Sequence, residues 1–515
     1  FDALGVEGRI DWLLLDNRLG HDLLLLERDG KRLSETAPLL PFAGTILALH
    51  DARRRLEPVD PKGTAETLAA LAEEIERTRK ALEAGLPPEP GKAAPAAKGV
   101  EALRPTKIVA FRSAAMAKEI RENFSKWYRF YDGYDPLFTW WCEAPYKKGD
   151  AALEQYIRFL REKVVGWKEG EDEPIVGDPI GREAIVRDLE DEYLPYTPEE
   201  LVAVAEREFA WCENEMKKAS REMGFGDDWK KALEKVKTEH VEPGRQAELI
   251  RDLAREAVVF VEAHDLVTVP PLSDAVWRME MMSAERQKLN PFFLGGEVIE
   301  VSFPTETMSE EDKRMSMRGN NIHSARATVF HELIPGHHLQ GFMNDRYNSH
   351  RNAFDTPFSV EGWALHWEML FWDLGFPKTP ENKVGMLFWR MHRCARIIFS
   401  LGFHLGKMTP QQCIDFLVER VGFERANATA EVRRSFNGDY SPLYQLAYMM
   451  GALQFRALHR ELVGSGKMSN RDFHDAILRG GNMPVELVRA RLTGQKLPKN
   501  YAASWRFAGE PAPAR

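Results

Sequence analysis

The chain has 515 residues, 44% of them hydrophobic and 29% charged, with a formal net charge of −9. That apolar content can build a large core, and the acidic balance excludes the basic surface that nucleic acid needs. No apolar run approaches the ~20 residues of a membrane-spanning helix, and the four cysteines, Cys142, Cys212, Cys394 and Cys413, form no C-x-x-C pair, so they read as buried or idle thiols.

Helical periodicity dominates from the start. An N-terminal helical segment, residues 1–90, runs into a stretch rich in proline, glycine and alanine from Ala84 to Thr106. From about residue 107 to 515 the chain reads as one large helical body. In it, Leu153, Tyr156, Ile157, Leu160 and Val164 recur at three- and four-residue steps and mark a core-facing helix. Thr197-Pro198-Glu199-Glu200 and Thr409-Pro410-Gln411-Gln412 each place Thr at the N-cap, Pro in the first turn and Glu or Gln three residues on, the pattern of a capping box. One strand is expected in GGEVIEVSF, where Ile299, Val301 and Phe303 alternate with Val298, Glu300 and Ser302 after Gly295-Gly296. The chain starts at Phe1; removal of a signal segment would favour a secreted or periplasmic protein, and otherwise a cytoplasmic one is expected.

The stretch VFHELIPGHHLQ opens like a zinc-peptidase helix, with Glu332 beside His331 as a general base, but Pro335 stands where the second histidine of H-E-x-x-H belongs. In an unbroken helix His337, six residues after His331, would be rotated by about 240° from it. Pro335 removes a backbone donor and crowds the His331 carbonyl, while Gly336 reaches backbone angles that other residues avoid. A two-residue bulge there would return His337 to the face of His331. The third ligand comes from FSVEGWALHWEML: Glu361 and Glu368 lie seven residues apart on one helical face, Glu361 as ligand and Glu368 as acceptor for a ligating histidine. His338 points away from its neighbour and is expected to pack or to support the site rather than ligate.

HELIPGHHLQ followed by EGWALHWE resembles the signature of a large bacterial family filed as a domain of unknown function, whose members are regarded as gluzincin-type metallopeptidases. The layout is also similar to the carboxypeptidase Taq and thimet-type oligopeptidase families, which have the tighter H-E-x-G-H. The resemblance implies one Zn2+ per chain on His331, His337 and Glu361, with Glu332 as base. It adds Tyr448, in Tyr448-Met449-Met450-Gly451, as donor to the oxyanion, with Tyr444 or Tyr440 in Tyr440-Ser441-Pro442-Leu443-Tyr444 as the alternatives. The chain departs from the family pattern at Arg434-Ser435, at Pro442-Leu443-Tyr444 and at Ser400 in SLGFHLG, positions expected to shape the substrate pocket. His366 and His404 read as core or cleft wall. Arg390, Arg393 and Arg396, at helical spacing, read as a solvated face, with an anion clamp as the alternative that Arg434 and Arg456 share.

The expected fold is therefore mostly α, a large gluzincin-like peptidase body with a deep cleft and a small edge sheet; in similar peptidases such an edge pairs with the substrate backbone. The expected activity is zinc-dependent hydrolysis of short peptides, as an exopeptidase or oligopeptidase, with a catalytically inactive peptide-binding protein of the same fold as the alternative. A di-iron bundle is excluded because no histidine has an acid three residues before it. Oligomeric state is not indicated.

Overall fold

Helices start where side chains supply caps. Thr197 and Thr409 each accept a bond from the backbone N–H three residues on, and Glu200 and Gln412 accept from the cap's own N–H, so both expected capping boxes are present. The structure, a computed structural model, describes residues 1–87, 101–287, 290–438 and 440–509. It is mostly helical, with one two-stranded sheet among those residues, and none of its helices there is long and apolar enough to cross a membrane.

The chain forms two compact units, one of Asp22–Gly177 and one of Phe1–His21 with Asp178–Arg515. In the first, helices Ala43–Arg54, Pro61–Gly85, Lys107–Tyr131 and Pro136–Phe159 enclose a core that includes Leu68, Leu71, Ile75, Phe124, Trp127 and Phe138. The expected stripe Leu153, Tyr156, Ile157 and Leu160 is buried in that core, with Val164 packed at its margin. The units do not part at the expected boundary between 90 and 107. Residues 107–165 bury their apolar faces against the helices before that stretch, so one core spans it; residues 88–100 lie outside the described residues.

The second unit holds the histidine motif. Strands Arg278–Met281 and Val298–Val301 pair in parallel, with Arg278 opposite Val298 and Met281 opposite Val301. The period-two reading holds here: Ile299 and Val301 are buried with Ile250, Phe293, Val329 and Leu333, while Val298 and Glu300 are half-buried. The strand is shorter than expected, because Ser302 Oγ and the Phe303 N–H both donate to Gln287 Oε1 instead of continuing the ladder. Nor is its other edge open at Glu300, whose N–H and carbonyl both pair with Leu294. The chain's own loop fills part of the edge expected to receive a substrate.

Helix Pro357–Asp373 is buried on all sides from Phe358 to Phe371 apart from the half-buried Val360, so its position is fixed by packing rather than by a polar face. It crosses helix Tyr444–Leu462 backbone to backbone. A Cβ on Gly451 would lie 2.1 Å from the Phe358 carbonyl oxygen and 2.8 Å from Gly362 Cα. Glycine at both positions is thus what brings the residues flanking them, Glu361 and Tyr448, into one layer. Gly451→Ala forces the helices apart and is expected to cost about 1–3 kcal/mol, read as a lower midpoint in thermal or urea unfolding; an unchanged midpoint would show that the crossing is not tight.

Candidate functional site

Helix Ile322–Glu332 begins at Asn321, whose side chain accepts from the His323 and Ser324 N–H groups at 3.1 and 3.0 Å. Ala325, Val329 and Leu333, four residues apart, face the core, while Thr328, His331 and Glu332 line a cavity. The helix does not bulge and continue, as expected; it ends at Glu332, and a second helix, His337–Asn344, starts at His337. Between them the Gly336 N–H donates to the Phe330 carbonyl at 3.0 Å, and the Pro335 carbonyl accepts from Trp363 Nε1 at 2.9 Å. A Cβ on Gly336 would lie 1.7 Å from the His331 carbonyl oxygen, so only glycine allows this return of the chain. The expected consequence is nevertheless met, and by a larger break than foreseen: the rings of His331 and His337 stand 4.8 Å apart, edge to face.

Glu361 completes the group. Its Oε2 lies 3.4 Å from His331 Nε2 and 3.2 Å from His337 Nε2, and one ligand atom from each of the three residues falls within 4.8 Å of the others. Two of its members are held from behind. Tyr444 Oη donates to Glu361 Oε1 at 2.5 Å, and Glu368 Oε1 pairs with His331 Nδ1 at 2.7 Å, the supporting role expected for that acid. Burial alone would push the His331 imidazole down, but Glu361 and Glu368 outweigh it and hold its pKa up at about 9. Burial works against the Glu361 carboxylate too, yet His337 and His331 keep its pKa well below the ordinary range. Glu332 has its carboxylate 4.0 Å from His337 Nε2, and burial raises its pKa.

A cavity of about 610 Å³ opens on this group and is also lined by Leu294 to Gly296, Asp355, Gln340 and Asn344. On one side stand Tyr440, Tyr444 and Tyr448 with Arg393, Arg396 and Arg434. The Tyr448 ring lies 6.2 Å from that of His331, near parallel, and the guanidiniums of Arg393 and Arg396 sit 4.6 and 4.2 Å from its centre. Burial, then the charge of Glu361, raises the Tyr448 pKa well above 10, so the phenol keeps its proton.

Of the residues singled out from sequence, His331, Glu332, His337, Glu361, Glu368, Tyr444, Tyr448 and Arg434 are brought together. His338 is not: its Nε2 bonds the Ser273 carbonyl at 2.7 Å, away from the group. His404 is packed against Phe403 and Phe436 away from the cavity lining, and burial lowers its pKa to about 4. His366 bonds His474, Nε2 to Nε2 at 3.0 Å, in a separate buried cluster. The arginines of helix Pro380–His404 do not form a solvated face: Arg393 and Arg396 are 7% and 2% exposed. The signal was in the sequence, since VGMLFWRMHRCARIIFSLGFH is apolar in most of its residues and reads as a helix packed into the core. Glu431, the fully buried partner of Arg396 and Arg434, escaped the sequence reading because nothing local marks it.

The fold has relatives among solved structures. A candidate lipoprotein of unknown function from Shewanella oneidensis is 19% identical, with a TM-score of 0.67 over 96% of this chain and 89% of its own. A second, a candidate lipoprotein from Colwellia psychrerythraea, is 17% identical, with a TM-score of 0.55 over 85% and 77%. At such identities these similarities speak for the fold alone. No curated protein matches the chain in sequence. The profile of the family described as "Bacterial protein of unknown function (DUF885)" matches residues 1–492, and the chain belongs to that family.

Proposed function

We propose that this protein is a zinc-dependent peptidase of the gluzincin type that hydrolyses peptide bonds in short peptides, as an exopeptidase or oligopeptidase. The observation that carries the reading is Glu361 Oε2, which is buried and accepts no hydrogen bond although two imidazole Nε2 atoms face it at 3.4 and 3.2 Å. Those separations match the ~3.3 Å between neighbouring ligands of a tetrahedral ion with bonds of about 2.0–2.1 Å. Two imidazoles, each giving up any proton on the ligating nitrogen as a metal binds, and one carboxylate are a donor set that suits zinc in a catalytic site, which keeps a further position open. Bound there, the metal would supply Lewis acidity, activating a water and polarising the scissile carbonyl.

The chain's own groups do the rest. Glu332, on the cavity wall beside His337, accepts the water proton as the oxygen bonds to the carbonyl carbon, then delivers it to the amide nitrogen as the C–N bond breaks. The neutral Tyr448 phenol donates to the oxygen that gains charge. Tyr444 is engaged with Glu361, so its role is to hold the carboxylate rather than to meet the substrate. A cavity of about 610 Å³ falls within the roughly 300–1,000 Å³ of small-ligand sites, which supports short peptides over folded proteins. An exported setting accords with the lipoprotein descriptions of the two bacterial proteins of similar fold.

Four substitutions separate the roles. His337→Ala should remove the bound zinc measured by elemental analysis, whereas Glu332→Gln should keep it and lower turnover of a quenched peptide by about 10²–10⁴-fold. Near wild-type turnover in Glu332→Gln would end the reading. Glu368→Ala frees the His331 ring and should weaken zinc binding about 10–100-fold in a chelator competition. Tyr448→Phe should retain zinc and lose about 10²–10³-fold in kcat with little change in KM; a silent Tyr448→Phe would take the donor role from this tyrosine.

A further inference from the structure

The arginine wall carries more positive charge than its neighbours answer. Glu431, with no exposed side chain, is shared between Arg396 Nε at 2.7 Å and Arg434 Nε at 2.9 Å, one anion for two cations. The carboxylate paired with Arg393 is Glu368, 3.6 Å away, and it is already engaged with His331 at 2.7 Å. Arg393 Nε is buried without a hydrogen-bond partner. Beyond Glu431, Arg434 meets uncharged groups among the described residues, the Asn290 Oδ1 at 3.4 Å from its Nη1 and the Tyr440 ring at 5.0 Å. Arg393 and Arg434 each leave 8% of the side chain exposed, and each lines the cavity. Withdrawing guanidiniums from water to this degree is unfavourable unless an anion meets them, and their planar forks suit a carboxylate.

Resting on the peptidase reading, we propose that Arg393 and Arg434 bind the free C-terminal carboxylate of the peptide substrate. Arg396 and Glu431 hold Arg434 in place, and Tyr448 packs between Arg393 and Arg396. The C-terminal carboxylate is the one anion that every linear peptide carries there whatever its sequence, whereas an acidic side chain offers the same chemistry in some peptides only. The cluster stands one side chain from His331, through Tyr448, so the bond presented to Glu332 lies close to the peptide's C-terminus. The remaining arginine of the cavity lining, Arg286, is already paired with Glu300.

The test uses the full chain carrying Glu332→Gln, with zinc added, and measures binding by calorimetry. The probes are N-acetyl-trialanine, its C-terminal amide, and an amide of the same length ending in glutamate. The free acid should bind at least about tenfold more tightly than either amide. Arg434→Gln should bring its affinity down to that of the plain amide with the circular dichroism spectrum unchanged; should this variant not fold, the acid–amide comparison on the Glu332→Gln chain alone decides. Equal affinities, binding of the glutamate amide alone, or no binding at all overturn the assignment, whatever the wild-type chain does to peptide bonds. Preference for the free acid without hydrolysis by the wild-type chain would leave the carboxylate site standing and remove the peptidase reading, and hydrolysis of acid and amide at equal rates would do the reverse.

Discussion

Everything at this site depends on the turn at Leu333-Ile334-Pro335-Gly336. A continuous helix would carry His337 to another side, and the turn exists because Gly336 lies against the His331 carbonyl where a Cβ would be 1.7 Å from oxygen. Its backbone groups are then answered one by one, by Phe330 for the Gly336 N–H and by Trp363 for the Pro335 carbonyl. Trp363 sits two residues after Glu361 on a helix with no exposed face. The same helix thus closes the turn that delivers His337 and supplies the carboxylate that meets it, so the histidines and Glu361 are held in place by one piece of packing.

That packing buries an unusual amount of charge. Glu332, Glu361, Glu368, Glu431, Arg393, Arg396 and Arg434 are each at most 8% exposed, and buried charges are tolerated only when other groups meet them. Most are met: Glu361 by Tyr444 and the histidines, Glu368 by His331, Glu431 by two arginines and Gln445. The exceptions cluster at the cavity, at Glu361 Oε2 and along the arginine wall. Buried charges left partly unanswered along one cavity wall are what a preorganised binding site looks like before its ligands arrive.

The candidate ligand set and the acid behind it were legible in sequence because they obey local rules. His331 and Glu332 share a helix, Glu361 and Glu368 lie two turns apart, and proline followed by glycine announces a break. The extent of the break was not legible, since whether a helix bulges or restarts depends on what closes the turn, here Trp363 some thirty residues away. Helix caps at Thr197 and Thr409 were readable for the same local reason, and the strand alternation held over Val298–Val301. Non-local pairings were not: the Gly362–Gly451 contact, Leu294 on the strand edge, Glu431 beneath the arginines, and a core that spans the proline-rich stretch. The arginines of helix Pro380–His404 were weighed by their spacing alone, and the apolar character of the whole segment was the better guide.

The central claim, that His331, His337 and Glu361 hold one zinc ion, is tested most directly by anomalous diffraction across the zinc absorption edge from crystals of the full chain grown with zinc. The account predicts one strong zinc peak per chain, bonded to His331 Nε2, His337 Nε2 and a Glu361 oxygen at about 2.0–2.2 Å. Zinc found only elsewhere on the chain, or this position left without a peak at saturating zinc, would contradict it.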